Sequence, residues 1–247
     1  MRKSFPFLTV AVITVFAVAL VLFLVFLNKT ASVEGAIPEI PPVESETTTP
    51  ENIDYSKVTI TPQNVQSVVA ALSRPSEYYY ETSSELFYNS GSTKYFRRKW
   101  VKNGWERVDI FNGQAVNMHV IFGNGNAFYW RPGDSDYFKT RAGSFTADES
   151  QMMMRYEDVI KLPKKQITDA KLTRYRGSEC IYVEAKNAET AYHTRFWIST
   201  ENGLLLLGQT LKGGKIIYSI TASKVETSTQ SDTLFMLPGN ILAMQVK

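Results

Sequence analysis

The chain has 247 residues, 44% of them hydrophobic and 13% aromatic, with a formal net charge of +3. At roughly 100–200 residues per domain, one globular domain with a sizeable core is expected once the N-terminal region is set aside. A single cysteine, Cys180, excludes an intramolecular disulfide and reads as a small buried strand residue, and the charge is too modest to point to nucleic acid.

Residues 1–4 carry Arg2 and Lys3, and Phe5 to Leu27 is apolar apart from Thr9 and Thr14. About 20 apolar residues span a bilayer as a helix. A cleaved signal peptide is the competing reading, but its apolar core runs to only ~7–15 residues before a small-x-small site. Cleavage after Ala31 places Lys29 at the minus-three position, and cleavage after Ala36 places Glu34 there; neither is a good site. Residues 5–27 are therefore expected to form an uncleaved, single-pass signal anchor in the plasma or inner membrane. The N-terminal positive charges keep residues 1–4 cytoplasmic, although Lys29 weakens the asymmetry, and the C-terminal domain is extracytoplasmic. No cysteine stands directly after the apolar segment, which argues against a bacterial lipoprotein.

Residues 28–54 hold Pro38, Pro41, Pro42 and Pro50 with six carboxylates, a composition for an extended acidic linker. With that linker set apart, 24 basic and 18 acidic residues lie from Tyr55 onward, a charge of +6. Such a surface suits anionic headgroups, cell-wall polymers or an acidic partner. Residues 55–247 form the folded domain. Tyr55 to Ile60 reads as a short strand. Thr61-Pro62 reads as a helix start, a hydroxyl cap followed by proline at the first helical position. Val65, Val68, Val69 and Leu72 then make one apolar stripe, and the helix ends by Arg74 because Pro75 follows.

From Ser76 the period changes to that of strands: Tyr78 to Tyr88, Lys94 to Lys102, Trp105 to Phe111, Ala115 to Phe122, Ala127 to Arg131 and Asp136 to Thr140, with Asn-Gly and Pro-Gly turns between them. This is a meander in a barrel or sandwich. Thr146-Ala147-Asp148-Glu149 is a capping box opening a second helix that Pro163 ends, with Met152, Met153, Tyr156, Val159 and Ile160 on its apolar face. Ile167 to Lys186 is a hairpin turning at Gly177-Ser178. Ala191 to Val225 is a three-stranded meander with turns at Asn202-Gly203 and Gly213-Gly214. In its first strand Tyr192, Thr194, Phe196 and Ile198 share one face, and His193, Arg195, Trp197 and Ser199 the other. The tail from Asp232 to Leu237 is expected to close the sheet. The fold class is mainly β (α+β).

The run Arg176-Gly177-Ser178-Glu179-Cys180-Ile181-Tyr182-Val183, the strand ending Phe196-Trp197-Ile198-Ser199, the Asn-Gly turn, the Leu-rich strand, the Gly-Gly turn and the strand ending near Lys224-Val225 resemble, in order, the C-terminal part of lipoprotein-carrier-like (LolA/LolB-like) domains. The likeness extends over Tyr55 to about Leu237. It implies an incomplete antiparallel β-barrel wrapped around two or more helices, enclosing an apolar cavity for acyl chains. Phe196 rather than Trp197 then faces the interior. The implied cavity is lined by Met152, Met153, Tyr156, Phe196, Ile198 and Tyr218, the soft thioethers forming a deformable wall. RseB-like sensors of envelope stress and clostridial spore-germination lipoproteins that support a cell-wall amidase are also similar, so a protein partner in the cell envelope is the alternative to a lipid or lipoprotein.

No enzyme site is legible. His119 and His193 sit in predicted strands without a carboxylate or cysteine at ligand spacing, so no metal and no cofactor is called. H-E-x-x-H, Gly-x-Ser-x-Gly and phosphate-loop patterns are absent. Gly123-Asn124-Gly125-Asn126 precedes no helix start and reads as a hairpin. Arg97-Arg98-Lys99 alternates across both faces of a strand and is not one patch. Paired carboxylates that meet only in three dimensions stay open.

Overall fold

The computed structural model describes residues 58–142 and 154–246. The signal anchor, the acidic linker, the Thr146 capping box and both Met152 and Met153 lie outside the described residues. Among the described residues no helix is long and apolar enough to cross a membrane.

The first helix, α1, runs over Val65–Ala71. It begins later than the Thr61-Pro62 signal implies. Asn64 turns its Oδ1 back to accept the Thr61 N–H at 2.8 Å, and the Asn64 and Val65 N–H groups both bond the Thr61 carbonyl. Residues 62–64 are thereby held in a turn before the helix. At the other end Leu72 is already extended, with ψ 131°, as the approach to Pro75 requires. The stripe is as expected: Val65, Val69 and Leu72 are buried and Val68 packs beside them. No strand forms over Val58 to Ile60, the described part of the expected first strand, and Ile60 instead joins the helix core.

Eleven strands make one antiparallel sheet: β1 (Glu77–Tyr88), β2 (Gly91–Lys102), β3 (Trp105–Asn112), β4 (Ala115–Gly123), β5 (Asn126–Trp130), β6 (Phe138–Arg141), β7 (Ile167–Tyr175), β8 (Ser178–Asn187), β9 (Tyr192–Ser199), β10 (Leu205–Lys212) and β11 (Lys215–Glu226). Their spatial order is β6-β5-β4-β3-β2-β1-β11-β10-β9-β8-β7. Two meanders thus join along β1 and β11, and the sheet stays open, with β6 and β7 as its edges. The β7–β8 turn is set one residue earlier than expected, at Arg176 and Gly177, both with positive φ.

The two meanders are covered on opposite faces. On the inner face α1 and α2 (Tyr156–Lys161) lie against the β7–β11 half. Val65, Val69 and Val159 of the helices meet Ile181, Val183, Phe196, Ile198 and Ile220 of the strands. Gly208 on β10 makes room there, because a Cβ at this position lies 2.9 Å from the Met154 sulfur. Gln66 ties the helices together, its amide donating at 2.8–3.0 Å to the carbonyls of Val159, Ile160 and Leu162 at the end of α2, where carbonyls run short of intrahelical partners.

On the outer face the C-terminal tail lies against β3–β5. This corrects the expectation that Asp232 to Leu237 closes the sheet. Asp232–Phe235 forms a 3₁₀ turn, and β12 (Met236–Leu237) pairs only with β13 (Ile241–Leu242), in a separate two-stranded ladder. The reason is apolar cover. Strand alternation sends Trp105, Ile121 and Phe128 outward, and Phe235, Leu237 and Ala243 bury them.

Candidate functional site

The structure brings four of the six expected cavity residues together. Phe196 and Ile198 are buried in the helix-covered core, and Tyr156 and Tyr218 pack against it, half-buried. Phe196 faces inward and Trp197 outward, where it meets Tyr182 edge-on at 4.9 Å. These side chains pack against protein: α1, α2 and Met154 occupy the ground above them. Tyr156 lies under Arg74, whose guanidinium sits 3.6 Å from the ring centre. The same guanidinium caps α1 at the carbonyls of Val69 and Leu72 and reaches Gly203 in the β9–β10 connection. Burial and the neighbouring Glu157 carboxylate push the Tyr156 hydroxyl up to about 12.

Beyond β1 the inner face continues, and among the described residues no helix packs on it. Over β3 and β4, Val108, Ile110 and Val120 are buried, flanked by Met118, Phe122 and Tyr129, and no residue of α1 or α2 belongs to this group. Between it and the helix core lies a polar strip. The β1–β2 register pairs Tyr80 with Lys99, Thr82 with Arg97 and Ser84 with Tyr95, all on the inner face. Arg97 is 4% exposed and Lys99 7%. Arg98 points the other way and pairs with Glu81 at 3.4 Å.

Lys99 is balanced by Glu106, which also receives Arg155, each at 3.4 Å. Burial pushes the Glu106 carboxyl up, but Lys99 and Arg155 outweigh it and hold the group below the usual carboxylate range. Lys99, Tyr78, Tyr80 and the Met154–Glu157 segment line a cavity of about 30 Å³, the room of one water. Among the described residues Arg97 has no such balance. Its Nη1 donates to Ser84 Oγ at 3.0 Å, its guanidinium lies 5.6 Å from the Tyr95 ring centre, and its Nε is buried without a partner. Ser84 in turn bonds Tyr218, so an expected residue and an unexpected one share this spot. Burial raises the Tyr218 hydroxyl above its ordinary value. Alternation over Arg97-Arg98-Lys99 is legible in the sequence; that the inward pair is buried is not, because strand polarity alone does not say which face is covered.

Both histidines acquire carboxylate neighbours across strands, which sequence spacing does not display. Asp109 and His119 are paired in register on the outer face, with His119 Nδ1 2.7 Å from Asp109 Oδ1 and Arg107 Nε donating to the same carboxylate at 2.9 Å. His119 stacks on Trp130, and Arg107 also donates to the Leu234 carbonyl at 2.7 Å, so the group fastens the tail. His193 lies 4.0 Å from Glu184. Among the described residues no three His, Cys, Asp or Glu side chains gather as a metal site. Cys180 is buried, and that burial raises its thiol pKa, the setting of an inert core thiol.

No family model and no curated protein sequence matches this chain. Among solved structures it is similar to an uncharacterized conserved protein from Thermus thermophilus, at 10% identity and a TM-score of 0.44 over 69% of this chain and 89% of that one. It is also similar to a LolA superfamily protein from Nitrosomonas europaea, at 10% identity and 0.36 over 72% and 98%. The third is the Mycobacterium tuberculosis lipoprotein LppX, at 11% identity and 0.39 over 68% and 96%.

Proposed function

We propose that this chain is a membrane-anchored, extracytoplasmic LolA-like domain that binds an acylated, anionic amphiphile without catalysing a reaction. The observation that carries the reading is Arg97: a buried guanidinium with no carboxylate partner among the described residues, paired in register with Ile110 on a face that continues into Val108 and Val120. An unpaired buried charge is costly, and removing the cost takes an anion that itself tolerates apolar surroundings. A carboxylate or phosphate head bearing an acyl chain has both properties. The ligand ground thereby moves from beneath the helices, where Phe196 and Ile198 are packed, to the β1–β4 side of the same face.

Native mass spectrometry of the full chain released from detergent tests this. The wild type is expected to retain a fatty-acid or anionic-lipid adduct that Arg97→Met loses while its circular dichroism stays native. A wild type bearing no adduct from any lipid class would sink the lipid reading. In that case the protein-partner reading takes its place, and the filled space above Phe196 and Ile198 is the observation that favours it.

A further inference from the structure

Three neighbouring hairpin tips at one end of the sheet share a composition that the turns of the other end lack. β1 turns into β2 at Tyr88 and Gly91, β10 into β11 at Lys212 and Lys215, and β8 reaches β9 at Asn187 and Tyr192. These strands neighbour one another, with Leu86 opposite Tyr218 and Lys212 opposite Tyr192, so the three tips lie side by side. Carried two residues further along each antiparallel strand, the β1–β11 register sets Tyr88 against Ile216.

Large apolar side chains stand in water at these tips. Tyr88 is 52% exposed, Ile216 38%, and Phe87 and Tyr192 36% each. Lys94, Lys186, Lys212 and Lys215 surround them, all exposed, against Glu85 and Glu189 within the same tip segments. The Lys212 ammonium lies 5.2 Å from the Tyr192 ring centre. At the opposite end, the turns at Asn103-Gly104, Asn124-Gly125, Arg176-Gly177 and Glu201–Gly203 carry no exposed large apolar residue among the described residues. Aromatic and aliphatic residues ringed by lysines match one surface in particular. The bilayer interface takes amphipathic rings at headgroup depth, and lysines meet its anionic phosphates while their stems cover apolar ground.

We infer that this end of the sheet docks on an anionic lipid bilayer, with Phe87, Tyr88, Ile216 and Tyr192 in the headgroup layer and the four lysines on lipid phosphates. The inference stands apart from acyl binding at Arg97, since a domain binds a membrane surface whether or not it holds a lipid inside.

The test uses the full chain reconstituted into vesicles, with Tyr88→Cys carrying a bimane label; Cys180 is buried and stays unlabelled. A lipid-borne quencher reports contact with the bilayer. Severalfold stronger quenching is expected with phosphatidylglycerol present than in phosphatidylcholine alone. High salt should weaken it, because exposed charges are screened within a Debye length. The double variant Lys212→Glu/Lys215→Glu should lose it with the label site untouched. A matched label at Glu201→Cys, on the opposite end, should stay unquenched. Equal quenching at positions 88 and 201, or equal quenching in the two lipid mixtures, overturns the inference.

Discussion

At the scale of single residues, neighbouring side chains on one strand meet different surroundings. Phe196 is 2% exposed and packs under the helices, whereas Trp197 is half-buried among Tyr175 and Tyr182 on the outer face. Truncating a buried phenylalanine costs roughly 3–5 kcal/mol, the lost transfer energy plus the cavity left behind. Phe196→Ala is therefore expected to lower the melting temperature clearly more than Trp197→Ala. A larger loss for Trp197→Ala in thermal melts contradicts the face assignment. Arg97 illustrates the converse case, a charged residue whose significance comes from its burial rather than from its type.

Between elements, the tail is fastened to the outer face by charge as well as by apolar cover. Lys102 donates to the Gln230 carbonyl and pairs with Asp232, and Arg107 links Asp109 to the Leu234 carbonyl. Burial pushes the Asp109 carboxyl up, but hydrogen bonds from His119 and Arg107 more than offset this and hold it below the usual carboxylate range. A carboxylate depressed in the folded state contributes stability that is fully present above its unfolded value, about 3.9. That contribution is lost as pH falls through the folded value. Asp109→Asn is accordingly expected to be less stable than wild type at neutral pH, with the gap narrowing as pH drops below about 4. Denaturant titrations across that range check it; a gap independent of pH contradicts the linkage.

For the whole molecule, one open antiparallel sheet carries a helical cover on one half of one face and a tail cover on the opposite half of the other. The stretch of inner face over β3 and β4, on which no helix packs among the described residues, is where the proposed ligand ground lies. The topology proposed for the full chain is a membrane anchor at residues 5–27. Mature protein is then expected to retain Met1 and to stay with membranes after a high-salt wash, read by N-terminal sequencing and fractionation. A soluble form beginning near Ser32 or Ile37 contradicts it.

The order of strands β1 to β11, nearly all their turns and the apolar stripe Val65-Val69-Leu72 were determined by the sequence alone, because alternation, helical period and Asn-Gly chemistry are local and act within a few residues. The inward face of β9 needed the resemblance as well, since Phe196 and Trp197 are equally apolar and alternation says only that they point apart. The later α1 start is local too, since the Asn64 Oδ1 accepts the Thr61 N–H three residues back. Two things were decided by tertiary structure. The tail went to the outer face because Trp105, Ile121 and Phe128, scattered over three strands, converge there and need cover. Arg97 and Lys99 became buried cations because burial belongs to what lies over a sheet face, and strands distant in sequence bring each face its cover.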